Sequence, residues 1–143
     1  MSIVMQVFVD GRKMLSPSQW ARALVEHGFA VELDEDFDVA SFSGFLPCKY
    51  RGVEAGFEYA YEELGPPEEL DEHVRAAIGD RDRVVSFVTH SDMRGLMTSV
   101  LSAGVLCALT DGVLWDTEAD ELTPAAGALD WARESEAAIA PEL

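Results

Sequence analysis

Short apolar segments alternate with polar residues along the chain and are separated by glycine, proline and aspartate. Segments with a period of two, or rich in β-branched residues, favour strands. Two of these segments are joined at Arg51-Gly52 and form the clearest predicted hairpin. The predicted strands are Ile3–Val9, Phe29–Leu33, Ser43–Tyr50, Val53–Tyr61, Val84–Val88 and Val113–Trp115.

Four other segments place apolar residues at helical spacing. The first has a capping-box pattern, Ser16 followed by Gln19, with Pro17 at the first helical position. The segment from Asp92 to Leu109 is apolar on almost every side, so we expect it to be the central buried helix. The predicted helices are Pro17–His27, Glu68–Ile78, Asp92–Leu109 and a last helix that opens at Thr123-Pro124 and extends to Ile139.

Small residues recur at every fourth position of the long apolar helix and predict a face on which another element packs closely. They are Gly95, Ser99, Ala103 and Cys107.

The resulting order of elements, β-α-β-β-β-α-β-α-β-α, predicts an α+β fold with one mixed, mostly antiparallel sheet packed with helices. The chain has 143 residues, which matches one domain of ordinary size, and we expect a single domain over residues 1–143. The hydrophobic fraction of 48% is that of a folded protein and not of a disordered acidic tail.

The charge is strongly acidic, with 27 Asp and Glu against 10 Lys and Arg and a formal net charge of −17. Such a chain repels phosphate backbones and anionic lipids, so neither nucleic acid nor membrane is an expected partner. It attracts basic protein surfaces and speeds association with them. The alternative interpretation is that the acids only keep the protein soluble.

The start of the chain has no basic segment before its apolar residues, so it is interpreted as a strand and not as a signal peptide. The longest uncharged stretch, Gly95 to Thr110, is shorter than a membrane span needs. We therefore expect a cytoplasmic protein.

Known catalytic and cofactor motifs are missing from the sequence: it has no phosphate-binding glycine loop, no nucleophile elbow and no zinc or calcium ligand spacing. The two cysteines, Cys48 and Cys107, are far apart and are interpreted as buried hydrophobic residues. These observations predict no cofactor, no metal site and no enzymatic activity.

One local group keeps an enzymatic alternative open. His90 and Asp92 stand where a strand ends and a helix begins, and with Cys48 close by they would supply a base, an orienting carboxylate and a nucleophile. The other interpretation is that Asp92 caps the helix and His90 lies at the surface.

The acids are concentrated in patches. Between Glu54 and Glu72 there are eight acids and no base, and the second hairpin strand alternates glutamates with aromatic residues. Aromatic anchors within complementary charge are typical of tight protein interfaces, although aromatics inside and glutamates outside would give the same pattern. The predicted binding residues are Glu54, Phe57, Glu58, Tyr59, Tyr61, Glu62, Glu63, Glu68 and Glu69.

Two segments resemble small bacterial proteins of the polymorphic-toxin immunity type: SGFLPCKYRGVEAGFEY, from Ser43 to Tyr59, and ALTDGVLWDTEADELTPAAGALDWA, from Ala108 to Ala132. The resemblance implies toxin neutralisation. The leading hypothesis is an acidic, immunity-type inhibitor that occupies a basic surface of a partner, such as the nucleic-acid site of a toxin. The alternatives are a small enzyme or ligand-binding domain with a pocket near His90 and Asp92, and a homodimeric structural protein.

Overall fold

The computed structural model describes residues 2–66 and 69–143. Within these ranges the α+β prediction is confirmed, and the order of elements follows the predicted one with one strand added. The strands are β1 (Ser2–Val9), β2 (Val31–Leu33), β3 (Gly44–Tyr50), β4 (Val53–Glu63), β5 (Arg83–His90), β6 (Val113–Asp116) and β7 (Glu121–Pro124). The helices are α1 (Pro17–Glu26), α2 (Glu72–Ile78), α3 (Met93–Leu109) and α4 (Ala125–Ile139).

The strands of the described residues pair into one open sheet in the order β2-β3-β4-β5-β1-β6-β7. Each of its pairings is antiparallel. The predicted hairpin at Arg51-Gly52 joins β3 to β4, and both residues have positive φ, as a two-residue hairpin turn requires. Strand β7 was not predicted, because an acidic stretch and Pro124 make its segment resemble a loop.

Capping chemistry places two helices close to where the sequence predicts them. The Ser16 side chain accepts a hydrogen bond from the Gln19 amide, and the Gln19 side chain accepts one from the Ser16 amide, which completes the capping box of α1. Asp92 caps α3 by accepting from the Arg94 amide at 3.1 Å. Helix α2 begins later than predicted, at Glu72, and the predicted start at Glu68 lies outside the described residues.

Helix α3 is the centre of the main core, as predicted, with twelve of its seventeen residues buried. It packs on one face of the sheet together with α1 and α4, over the inward side chains of β1, β3, β4 and β5. Trp20 of α1 is fully buried and donates its indole N–H to the carbonyl of Ser102, which joins α1 to α3.

Two glycines of α3 allow close approach. A Cβ on Gly95 would lie 2.7 Å from the carbonyl oxygen of Gly56 in β4, and a Cβ on Gly104 would lie 2.7 Å from the Cβ of Ala132 in α4. The predicted close-packing face is therefore confirmed at Gly95, which touches a strand. The contact with α4 is made through Gly104, which lies outside the predicted four-residue repeat.

The opposite face of the sheet is covered at one end only. There α2 packs Val74 and Ile78 over Phe8 and Val113, forming a second, smaller apolar cluster. Over β3, β4, β5 and the start of β1 the described residues place no helix on this side. We call this uncovered area the open face; it is formed by Phe45, Pro47, Lys49, Glu54, Gly56, Glu58, Ala60, Glu62, Ser86, Val88, His90, Ser2, Val4 and Gln6.

No helix in the described part of the chain combines the length and the apolar character needed to cross a membrane.

Candidate functional site

Strand β4 divides the predicted binding residues between two sides of the sheet. Successive side chains of a strand point to opposite faces. Glu54, Glu58 and Glu62 are exposed and lie on the open face, whereas Phe57 and Tyr59 lie on the face covered by α3. The acidic row and the aromatic row of this strand are therefore separated.

The prediction that Phe57 and Tyr59 contact a partner is wrong, because both are core residues with 1% and 2% of their surface exposed. Phe57 packs against Phe87 of β5 at 5.2 Å between ring centroids. Tyr59 packs against Trp20, and its hydroxyl donates to the carbonyl of Val39 at 2.6 Å. Tyr61 is half-buried against the same core and offers little surface.

The remaining predicted acids do not share the open face. Glu63 has an exposed side chain on the other side of the β4 alternation and lies 3.6 Å from Arg83. Glu69 is exposed in the segment that precedes α2. Glu68 lies outside the described residues. On the open face the structure therefore places three of the predicted acids, Glu54, Glu58 and Glu62.

Phe45 of β3 is the aromatic residue that the open face does present, and the sequence interpretation missed it. Its side chain is 58% exposed, and it is paired across the strands with Glu58. Its ring covers Gly56, where a Cβ would lie 2.5 Å from the Phe45 Cζ atom. The signal was present in β3, because Phe45 alternates in step with Pro47 and Lys49 and out of step with the buried residues of that strand.

A cavity of about 620 Å³ opens beside Phe45, where β4 extends beyond the end of β5. By the strand registers, five of its lining residues belong to the open-face side of β2, β3 and β4: Glu32, Phe45, Pro47, Lys49 and Glu54. Asp34 and Asp92 also line it. The cavity is thus an acidic recess with an aromatic wall at one corner of the open face.

The middle of the open face is made of short side chains. Register aligns Phe45 with Glu58, Glu58 with Val88, and Val88 with Val4, so one row crosses four strands. Val88, Val4 and the neighbouring Ala60 are half-buried. The result is a small group of short apolar side chains beside the acids of β4, bounded by the polar pair Gln6 and Ser86.

The base, carboxylate and nucleophile of the enzymatic alternative do not assemble. The His90 ring lies 3.1 Å from the Glu58 carboxylate and 2.8 Å from the Ser2 hydroxyl. Asp92 and Cys48 both line the cavity, but His90 is not among its lining residues. Burial raises the pKa of the Cys48 thiol to about 12, so the thiolate that a nucleophile needs is disfavoured.

Metal-ligand geometry is also missing from the described ranges: no group of three or more His, Cys, Asp or Glu side chains is arranged to hold an ion there.

The basic residues are concentrated away from the open face, and several are paired with acids. Around a smaller recess that follows β1, Arg12 lies 2.7 Å from Asp10, Lys13 lies 3.6 Å from Asp111, and Arg81 also approaches Asp111. On the open face of the described residues, Lys49 supplies a cationic group, and the His90 ring lies 3.1 Å from the Glu58 carboxylate. The open face therefore keeps its negative charge.

Comparison with known proteins found no matching family model, no matching curated protein and no matching solved structure.

Proposed function

We propose that this protein is an acidic binding domain that covers a basic surface of a partner protein, as an immunity-type inhibitor does. The observation that carries the proposal is the row of Glu54, Glu58 and Glu62 on a sheet face that the helices leave uncovered. A solubility device needs no such segregation, because its acids serve equally well anywhere on the surface.

The charge distribution supports fast recognition of a basic partner. A net charge of −17 produces a long-range attraction to cationic surfaces, and such steering raises association rates by about 10- to 1,000-fold. Carboxylates spaced along a strand then take the positions that phosphates occupy on a basic nucleic-acid site. A partner blocked in this way loses access to its own polyanionic substrate, which is the mechanism expected of an immunity protein.

Short-range contacts support the lifetime of the complex. Charged residues at the rim of an interface mainly set the on-rate, whereas desolvated aromatic and apolar residues set the off-rate. Phe45 is the exposed aromatic residue beside the acids, with Val88 and Val4 in the same row. These residues take the anchoring role that the sequence interpretation gave to Phe57 and Tyr59.

The proposal is tested by photo-crosslinking in the cells in which the protein naturally occurs. A photoreactive residue replaces Glu58 on the open face or, as the control, Glu134, which is exposed on α4. We expect position 58, and not position 134, to capture one basic protein. The purified complex should have 1:1 stoichiometry and should weaken steeply as salt rises.

Three results would contradict the proposal. The first is capture of a second copy of this chain at position 58, which is the homodimer alternative. The second is capture of an acidic protein whose binding is insensitive to salt. The third is no capture at position 58 while position 134 captures a partner.

A further inference from the structure

The cavity beside Phe45 suggests how the open face would select its partner. We infer that the open face and this cavity form one docking surface, and that the partner projects an arginine side chain into the cavity. The inference rests on the proposed function and names the chemistry of the partner's central contact.

The cavity is large enough to admit a side chain. Its volume of about 620 Å³ lies within the range of about 300–1,000 Å³ that ligand pockets occupy. Five of its lining positions share the open-face side of β2, β3 and β4, so this part of the cavity lining is continuous with the open face. A partner lying on the open face therefore borders the cavity.

The charge of the cavity selects a cation. Its lining residues include Glu32, Asp34, Glu54, Asp92 and Lys49, so four acidic residues and one basic residue give a formal net charge of −3. Lys49 stands between Glu32 and Glu54 in the strand registers, where it offsets part of their charge. The excess of acidic residues makes the cavity attractive to a cationic group.

The aromatic wall favours arginine over lysine. A guanidinium group is planar, weakly hydrated and stacks on aromatic rings, whereas the lysine ammonium is compact and strongly hydrated. The exposed ring of Phe45 offers such a face at the cavity wall. Cation–π contact requires the cation within about 6 Å of the ring centroid, and Glu54 on the same side of the sheet supplies a carboxylate for the guanidinium N–H groups.

The ring of Phe45 is held in place by its neighbours. It rests on Gly56, and on the other side of β4 the backbone of Gly56 is contacted by Gly95 at the start of α3. Since neither glycine carries a side chain, the ring lies close to the sheet and leaves the cavity open. The recess is thus a product of the same close packing that positions α3.

The experiment uses a peptide pair that differs only in charge. Acetyl-Ala-Arg-Ala-amide is titrated into the ¹⁵N-labelled protein, with the citrulline peptide, a neutral isostere, as the control. We expect saturable amide shifts confined to the surroundings of Phe45, Cys48, Glu54 and Asp92. An affinity of about 1–10 mM is expected for one short side chain, because a millimolar Kd corresponds to only a few contacts.

Variants locate the binding. Glu54→Gln should weaken the arginine peptide at least about threefold, and Phe45→Leu should weaken it similarly, because each removes one recognition element and keeps the approximate shape. Glu134→Gln removes the same charge on α4 and should leave the peptide affinity unchanged. Spectra of each variant without peptide check that the fold is retained.

The inference is overturned if the citrulline peptide gives the same shifts, if the arginine shifts do not saturate, or if Glu134→Gln weakens binding as much as Glu54→Gln. A lysine peptide that binds equally well overturns the assignment of arginine. These outcomes are separate from failure of the proposed function: a basic partner crosslinked at position 58 with no arginine binding leaves the function standing. Arginine binding without such a partner supports the cavity and removes the function.

Discussion

Replacement of Gly56 by alanine tests the packing that joins the main core to the open face. A Cβ at this position would lie 2.5 Å from the carbonyl oxygen of Leu46 and 2.5 Å from the Cζ atom of Phe45, distances that real Cβ atoms do not reach. The residue also has φ of 149°, a conformation that side chains of L-residues rarely adopt. Backbone and ring must therefore both move.

The magnitude follows from these two effects. Overpacking costs about 1–3 kcal/mol and a disfavoured backbone conformation about 1–3 kcal/mol, so the free energy of unfolding should fall by about 2–6 kcal/mol. For a chain of this size that corresponds to a Tm lower by roughly 8–20 °C. Urea unfolding followed by tryptophan fluorescence, to which the buried Trp20 contributes, measures the loss.

Gly52→Ala is the matched control, since Gly52 also has positive φ, 79°, but its Cβ would have no atom within 4 Å. It should cost only the backbone term, about 1–2 kcal/mol. Equal destabilisation by the two variants would refute the argument that Gly56 is fixed by close packing with Leu46 and Phe45.

Two further predictions concern the main core. Gly104→Ala should lower the free energy of unfolding by about 1–3 kcal/mol, because its Cβ would lie 2.7 Å from that of Ala132. The control, Gly127→Ala in α4, has its nearest atom at 3.7 Å and should raise the free energy of unfolding by about 0.5–1 kcal/mol. Urea midpoints that move in the same direction in both variants would contradict this prediction. Burial raises the pKa of Cys48 and Cys107 from 9.0 to about 12, so their contribution to stability is complete below pH 9 and is lost as pH rises towards 12. A double alanine variant should show a smaller fall in urea midpoint between pH 8 and pH 11 than the parent protein, and an equal or larger fall would contradict the assignment.

Much of the fold could be predicted because local chemistry and periodicity agree. The capping box at Ser16, the cap at Asp92 and the apolar character of α3 each favour one structure, and each is found. The segment of β7 has no comparable signal: it is four residues long, ends in Pro124 and follows an acidic turn. Its pairing with β6 comes from tertiary packing that one sequence does not reveal.

The candidate site was harder to predict because strand alternation defines two faces without saying which is covered. In β4 the acids and the aromatics separate cleanly in sequence, and only the placement of α3 decides that Phe57 and Tyr59 are inside. If α3 had packed on the other side of the sheet, the opposite face of β4 would have been the buried one. Phe45 was missed because its position depends on the fit of its ring over Gly56, which lies 11 residues later in the sequence. Only the register of β3 and β4 brings the two residues together.

The central claim is that the acids act through their position on the open face and not through net charge alone. The measurement is the association rate of the crosslinked basic partner with two triple variants that change the net charge equally. One reverses Glu54, Glu58 and Glu62 to Lys on the open face, and the other reverses exposed acids elsewhere, Glu26, Glu118 and Glu134.

At low ionic strength we predict that the open-face reversal lowers the on-rate by at least about tenfold more than the control reversal. The difference should shrink as salt rises, because the Debye length falls from about 30 Å at 0.01 M to about 8 Å at 0.15 M. Equal slowing by the two variants, or no slowing by the open-face reversal, would contradict the account.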